Sequence, residues 1–500
     1  MRALIGNRFA LLGVVIAAIA ALFAVVWMTR PAPGRAENVT PRIHMASVTS
    51  AMRSCPSLSR GRIAIFAAPG QAAGGQMAAQ GNAKLISAPA TTASATGAMT
   101  EKATPALRAT PLVTLSQPAR LWLSGRGVAA GGAVQPTIHR QTGAVTIEAS
   151  GGMAQGLDAE RTYYPPNGSA ASVTGVQCTS PGTDFWFVGP GEARAASIRV
   201  HMVNPDSQPA EADVEIFTDT GPLQGNTDTG IPVPPGGSVV QSIGKLVKGS
   251  RVLALHVRTS VGRVAASVQA AGIWWRPASP PATRSVIPGL PGAGTGRRLF
   301  LIDPGSSDAQ VHVKADTPAG SYEPAGAGGI DVPAGSAIAV DLPSLNGIPA
   351  ALRLDSAVPV TAAMQVGTSA FTAATGPVAQ QGVVADNVTG TAYTVSVVIS
   401  APVRAAQVRI STAGPGGPAG TGRLVELRAK RSKEVRVTVP RSVRGGFAIV
   451  ITPAPGSGPV YAGRIIASEA GGVQLITPVV SSPVSVPLPS AGGSVAATLP

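Results

Sequence analysis

Five hundred residues suffice for three or four domains, and a hydrophobic content of 44% lets each of them bury a core. The formal charge is +15, yet charged residues make up only 13% of the chain, too sparse for side chains that must track the successive phosphates of a nucleic acid. Gly 60 and Pro 45 stop short of the proportion that signals disorder throughout, and aromatics at 4% leave Val, Ala, Ile and Leu to fill small cores.

The first element is apolar. Residues 9–28 are twenty positions without a charge, preceded by Arg2 and Arg8 and followed by Arg30 and Pro31. At about 1.5 Å per residue, such a helix spans a hydrocarbon core of roughly 30 Å. A cleaved signal peptide has a shorter apolar region and a small-x-small site after it. Trp27, Met28, Thr29 and Arg30 stand where that site belongs. Residues 1–30 are therefore expected to be a cytoplasmic stub and a transmembrane signal anchor. The bulk of the chain then lies outside a cell membrane crossed once, or is secreted if cleavage occurs near 32–36. Flanking charges nearly balance, so this orientation rests on the length of the chain downstream of the helix.

Cys55 and Cys178, the only cysteines, both lie beyond the anchor. An even count in an exported chain predicts a disulfide, worth about 4 to 5 kcal/mol for a loop of that length in the chain-entropy model. Residues 37–180 read as an N-terminal β module. Within it the stretch 67–106, rich in Ala, Gly, Gln, Ser and Thr, reads as a long mobile loop. Strands are predicted at 119–123, 144–148 and 172–178. The aromatic run 184–189 is expected to plug the junction with the next module.

Residues 198–269 contain five strand-sized runs bounded by Gly and Pro: 198–203, 212–217, 230–236, 253–257 and 264–269. Much of the pattern returns 99 positions later, with Asn204-Pro205 answered by Asp303-Pro304 and Gly230 by Gly329. A looser third copy has strands at 395–399, 406–410, 435–439, 447–451 and 461–465. Units of this length are whole domains, since solenoid repeats run about 20 to 50 residues. The fold expected is all-β: tandem immunoglobulin-like antiparallel β-sandwiches at 181–276, 285–370 and 380–475, with an extended tail at 476–500. The Trp- and Pro-rich stretch 273–291 reads as a stiff linker. The Gly-Pro-rich stretch 414–422 reads as a turn, since it lacks the spacing of a phosphate-binding loop.

The N-terminal span, the run CTSPGTDFWFVG at 178–189, and Asn204-Pro205 followed by Val-Pro-Pro-Gly at 233–236 carry a resemblance. They resemble an actinobacterial family of membrane-anchored or secreted proteins, a domain of unknown function often encoded near cell-envelope glycosyltransferases. The resemblance covers roughly 55–365. It implies an extracytoplasmic protein of envelope glycan biology and supplies no catalytic residue.

Chemistry is sparse. Of His44, His139, His201, His256 and His312, the last three fall on the polar side of strand alternation and are expected to face solvent. Asp158 and Glu160 would share a strand face beside Tyr163 and Tyr164, a spacing compatible with the two carboxylates of a glycosidase. Arg161 stands next to them as a counter-charge. No nucleophile, P-loop or metal-ligand motif occurs, so no catalytic residue, cofactor or metal is expected. Eight basic residues fall between Arg423 and Arg444 against Glu426 and Glu434. They read either as an edge strand guarded by charge or as a candidate anionic-ligand surface built from Arg428, Lys430, Arg431, Lys433 and Arg436. The function expected is a non-catalytic scaffold or binding module of the cell envelope. Its partners would be the membrane, through the N-terminal helix, and anionic envelope polymer, lipid headgroups or an envelope glycosyltransferase, without nucleic acid. The alternative is a glycan-modifying enzyme or an accessory subunit of a glycosyltransferase system.

Overall fold

Alternating apolar and polar residues fold as strands in the computed structural model. It describes residues 8–28, 43–67, 82–91, 109–114, 133–134, 138–139, 143–166, 172–191, 197–223, 228–292, 296–343, 345, 347–388, 392–414, 417–418, 422–438, 446–468 and 472–489. The strand predicted at 119–123, most of the expected loop at 67–106, and Arg441 and Arg444 lie outside the described residues, as do the side chains of His44 and His139. Residues 1–45 with 487–500 form one compact unit, and residues 46–486 a second.

The first unit holds the helix Arg8–Met28, whose side chains are described from Leu12 onward and are all exposed. Among the described residues no helix is long and apolar enough to cross a membrane. Ile43–Ser47 pairs with Ser485–Pro489 in a two-stranded sheet.

The second unit is all-β, with antiparallel sheets that face one another across apolar cores. Its N-terminal part has one sheet of Ser50–Cys55, Ala144–Ser150, Asn82–Ala88 and Ala109–Thr114, and another built around Asp158–Tyr163. Asn82–Ala88 runs through the stretch expected to be loop. Of the described side chains of that strand, Ala83, Leu85 and Ala88 enter cores, too few and too unevenly spaced for a periodicity to show in sequence. Cys55 and Cys178 are bonded, with Cα atoms 4.3 Å apart, and join the two sheets.

Three sandwiches follow, and the 99-residue offset is visible atom by atom in the first two. Asn204 Oδ1 accepts the Asp206 N–H at 2.9 Å, and Asp303 Oδ1 accepts the Gly305 N–H at 2.8 Å. Gly237 donates to the Pro234 carbonyl as Ser336 does to that of Pro333, both at 3.0 Å. Gly236 and Gly335 hold the left-handed turn position at φ +58° and +67°, where a Cβ is disfavoured. Each sandwich also repeats one sheet order. Ile198–Val203, Arg297–Ile302 and Tyr393–Ala401 each lie centrally between two antiparallel neighbours.

The sandwiches interlock. The run 184–189 is a strand of the first sandwich, paired with Val252–Val261, and its Phe187 lies in the core. The stretch read as a linker also supplies strands, Ile273–Trp275 to the first sandwich and Ala282–Leu290 to the second. Trp275 reaches across to stack on Phe371, with ring centroids 6.1 Å apart. Between the second and third sandwiches the backbones of Gly289 and Gly463 touch, so closely that a Cβ on Gly463 would stand 2.5 Å from the Gly289 Cα.

The N-terminal part covers the outer face of the first sandwich. Ala90–Thr91 adds in parallel to Ser238–Ser242, while Leu58 and Val176 pack on Trp274. This cover corrects the expectation for His201. Its ring is buried 5.0 Å from that of Trp274, and burial, helped by Arg199, pushes its pKa down to about 4. His256 is also mostly enclosed, stacked on Trp186 between Glu215 and Asp184, whereas His312 faces solvent as expected.

Replacing both cysteines by alanine should lower the unfolding free energy by about 2 to 5 kcal/mol. Denaturant midpoints of the full chain with and without reductant measure this, and reductant should shift only the wild type.

Candidate functional site

Two clusters of charge stand out, one sealed inside and one open at an edge. The sealed cluster grows from Asp158–Tyr163, the strand between Arg62–Ala67 and Thr174–Gln177. Strand alternation turns Ala159 into the N-terminal core and sends Glu160 the other way, toward the third sandwich. Glu160 Oε1 accepts from Arg464 Nη2 at 2.5 Å and from Thr477 Oγ1 at 3.2 Å. Arg464 also donates to the Asp386 carbonyl at 2.6 Å and to Asn387 Oδ1 at 3.1 Å. Arg276, in the crossing from the first sandwich to the second, donates to the Ile476 carbonyl at 3.1 Å.

Around this centre Arg62 holds both oxygens of the buried Asp386 carboxylate, at 2.6 and 3.2 Å. Its guanidinium also lies over the Tyr164 ring, 4.9 Å from the centroid. Asp158 Oδ2 accepts the Ala385 N–H at 3.1 Å, and its Oδ1 the Gln177 amide at 3.3 Å. Burial raises the Asp158 pKa to about 7, with Arg53 pulling against it. Burial likewise pushes Glu160 up, against the pull of Arg464 and Arg276, and it lowers Arg276 to about 10.

Asp158 and Glu160 thus share the expected face and are both buried, at 1% and 0% exposure, with no route for a sugar to reach them. Arg161 is not their counter-charge. It points the other way and donates to the carbonyls of Pro56 and Gly143. Sequence reasoning missed Arg464, Arg276 and Asp386, and their long separation from Glu160 left no local signal. Among the described residues, no group of three or more His, Cys, Asp or Glu side chains is placed to hold a metal.

The open cluster lies on the third sandwich. Arg423–Leu427 is an edge strand of one sheet and Arg431–Arg436 an edge strand of the other, so both edges sit on one flank. Arg423, Arg428, Lys430, Lys433 and Arg436 are exposed, and Arg431 is half-buried beside Gly320 of the second sandwich. Among the described residues none of these six forms an ion pair with a carboxylate. The two acids of the stretch are held by neutral donors: Glu434 accepts from Ser396 Oγ at 2.6 Å and Glu426 from the Gln407 amide at 3.1 Å.

The turn between these strands departs from the other two copies at one position. Ala210 pairs with Val233, Ala309 with Val332 and Ala406 with Leu427, and three residues further on stand Gly236, Gly335 and Lys430. All three have left-handed backbone, and Lys430 adopts it at φ +58° despite carrying a Cβ, which costs about 1 to 2 kcal/mol. Its N–H is fixed by the Ala401 carbonyl at 2.7 Å. Ser432 Oγ anchors the strand that follows to the Asp316 carbonyl at 2.6 Å.

A comparison with protein families matches residues 133–438 to DUF5719, a family of unknown function. The chain belongs to this family. The DUF5719 match takes in Glu160, the first two sandwiches and the basic flank through Arg436, and it stops before Arg464 and Thr477. No curated protein matches the chain.

The raised pKa of Asp158 gives a signed prediction. The folded state keeps a proton that the unfolded chain loses near pH 3.8, so the contribution to stability is full below that pH and is lost as pH rises through about 7. Asp158→Asn abolishes this titration. The stability of wild type relative to D158N should therefore fall steadily between pH 4 and pH 8, as read from thermal midpoints of both proteins. The depressed His201 acts in the opposite sense, is common to both, and cancels in the difference.

Proposed function

We propose that this protein is a membrane-anchored, extracytoplasmic binding module that holds anionic cell-envelope polymer against the flank of its third sandwich and catalyses no reaction on it. The observation that carries this reading is the turn at Lys430. A lysine occupies a left-handed position where both other copies use glycine, amid cations that form no ion pair with a described carboxylate, and its own charge reaches only the buried Asp316, against whose burial it and Arg353 pull. Such backbone, which among the described non-glycine residues recurs only at Ala271, clusters at ligand-binding positions, and at Lys430 it coincides with the basic flank.

The alternative of a glycan-modifying enzyme would need an accessible pair of carboxylates. The pair that the sequence suggested is consumed in the buried cluster. A role as an accessory subunit beside an envelope glycosyltransferase stays compatible with a binding flank. The envelope and its glycan come into the reading through the resemblance to actinobacterial proteins encoded near such enzymes. Export is supported by the disulfide, which persists in oxidising compartments.

The anchor is read from the whole helix. Its 21 residues rise about 31 Å at about 1.5 Å each, and from Phe9 to Met28 no charge interrupts them. Full-length protein is expected to sediment with membranes and to be released by detergent but not by salt or carbonate. A mature terminus near Glu37 with most of the material soluble contradicts this.

For the flank, affinity for an acidic envelope polysaccharide should fall steeply with salt, because exposed charges are screened over about 8 Å at physiological ionic strength. Replacing Arg428, Lys430, Arg431 and Lys433 by Gln should weaken binding by at least tenfold with little change in thermal midpoint. Lys430→Gly should instead raise stability by about 1 kcal/mol while weakening binding, since it relieves the turn. Wild type that ignores the polymer at low salt, or prefers anionic liposomes to it, refutes the polymer reading.

A further inference from the structure

The flank has a second end, and there the interior of the sandwich opens. Ile410 pairs with Arg423 as the last rung of one edge ladder, and Ser396 pairs with Arg436 as the last rung of the other. Beyond these rungs the two sheets part around a groove of about 240 Å³. It is lined by Ile410, Val435 and Val437, by Thr412, Gly422 and Thr438, and by Arg423 and Arg436. Ile410, Thr412 and Val435 are buried while both arginines are exposed, and neither arginine has an ion-pair partner among the described residues. A lining that joins apolar side chains and threonines to two arginines suits a small ring that carries an anionic substituent.

We propose that this groove is a subsite for one acidic sugar unit, bearing a phosphate or a carboxylate, of a polymer that runs along the flank from the Lys430 turn. The proposal rests on the binding function argued above and adds where and how the glycan is read. From Arg431 to Arg436 the strand covers about 17 Å at about 3.3 Å per residue, so turn and groove contact different units of one chain. The turn supplies charge alone. The groove adds shape, because the apolar side chains meet the ring face while Arg423 and Arg436 take the anion.

Calorimetric titration of the full-length chain with glucose 1-phosphate, glucuronate, glucose and inorganic phosphate tests this. Both acidic sugars should bind, and glucose and phosphate alone should bind at least tenfold more weakly. Arg423→Gln with Arg436→Gln should abolish sugar binding without moving the thermal midpoint, because both side chains are exposed. The variant with Gln at 428, 430, 431 and 433 should keep sugar binding while losing polymer. Inorganic phosphate binding as well as glucose 1-phosphate overturns the sugar subsite, and so does a double variant that binds sugars like wild type. Polymer bound by wild type with no acidic sugar bound overturns the groove alone, whereas polymer ignored by wild type overturns the parent reading.

Discussion

Glu160 and Arg464 meet inside the protein although 304 residues separate them, and the packing of the modules depends on keeping that pair enclosed. Burying opposite charges brings little net stability, since desolvation offsets most of the attraction, yet removing one partner costs about 3 to 5 kcal/mol. The pair therefore acts less as glue than as a specification. The apolar faces here are mostly Val and Ala and would pack in more than one way. Arg62, Arg276 and Arg464 come from the N-terminal part, the first crossing and the third sandwich, and each finds its partner in only one arrangement.

How much of this was legible in the sequence depends on the range of each signal. Strand alternation and Gly-Pro turns are local, so the strands of the repeats and their 99-residue offset could be read directly. The disulfide was legible because only two cysteines exist. Alternation does not reveal which sheet faces a neighbour will cover, and His201 was therefore expected in solvent when Trp274 and the N-terminal part enclose it. Asp158 and Glu160 were legible as a pair on one face, but their environment was not, because Arg464 and Asp386 lie in another module. The stretch 273–291 was read as a linker for the same reason: contacts between modules leave no periodicity, and its strands pair within the first and second sandwiches.

The basic flank lies between these cases. Its composition was plain in the sequence, and its placement on two edge strands fits the use of charge to keep edges from pairing with other chains. Protection alone does not explain Lys430. Any charged residue on the strands would guard an edge, whereas the turn could have kept its glycine as in the other two copies. Guarding and binding are compatible, since a cation that repels a neighbouring strand attracts a polyanion.

Where the chain enters and leaves its second unit, Val48 donates to the Val484 carbonyl at 2.9 Å, and Gln380 clamps Val484 and Ser485 from the third sandwich. Entry and exit therefore sit side by side. Tension applied between residues 48 and 484 would fall first on this short bridge, and the sandwiches joined between those two points would be shielded until it broke.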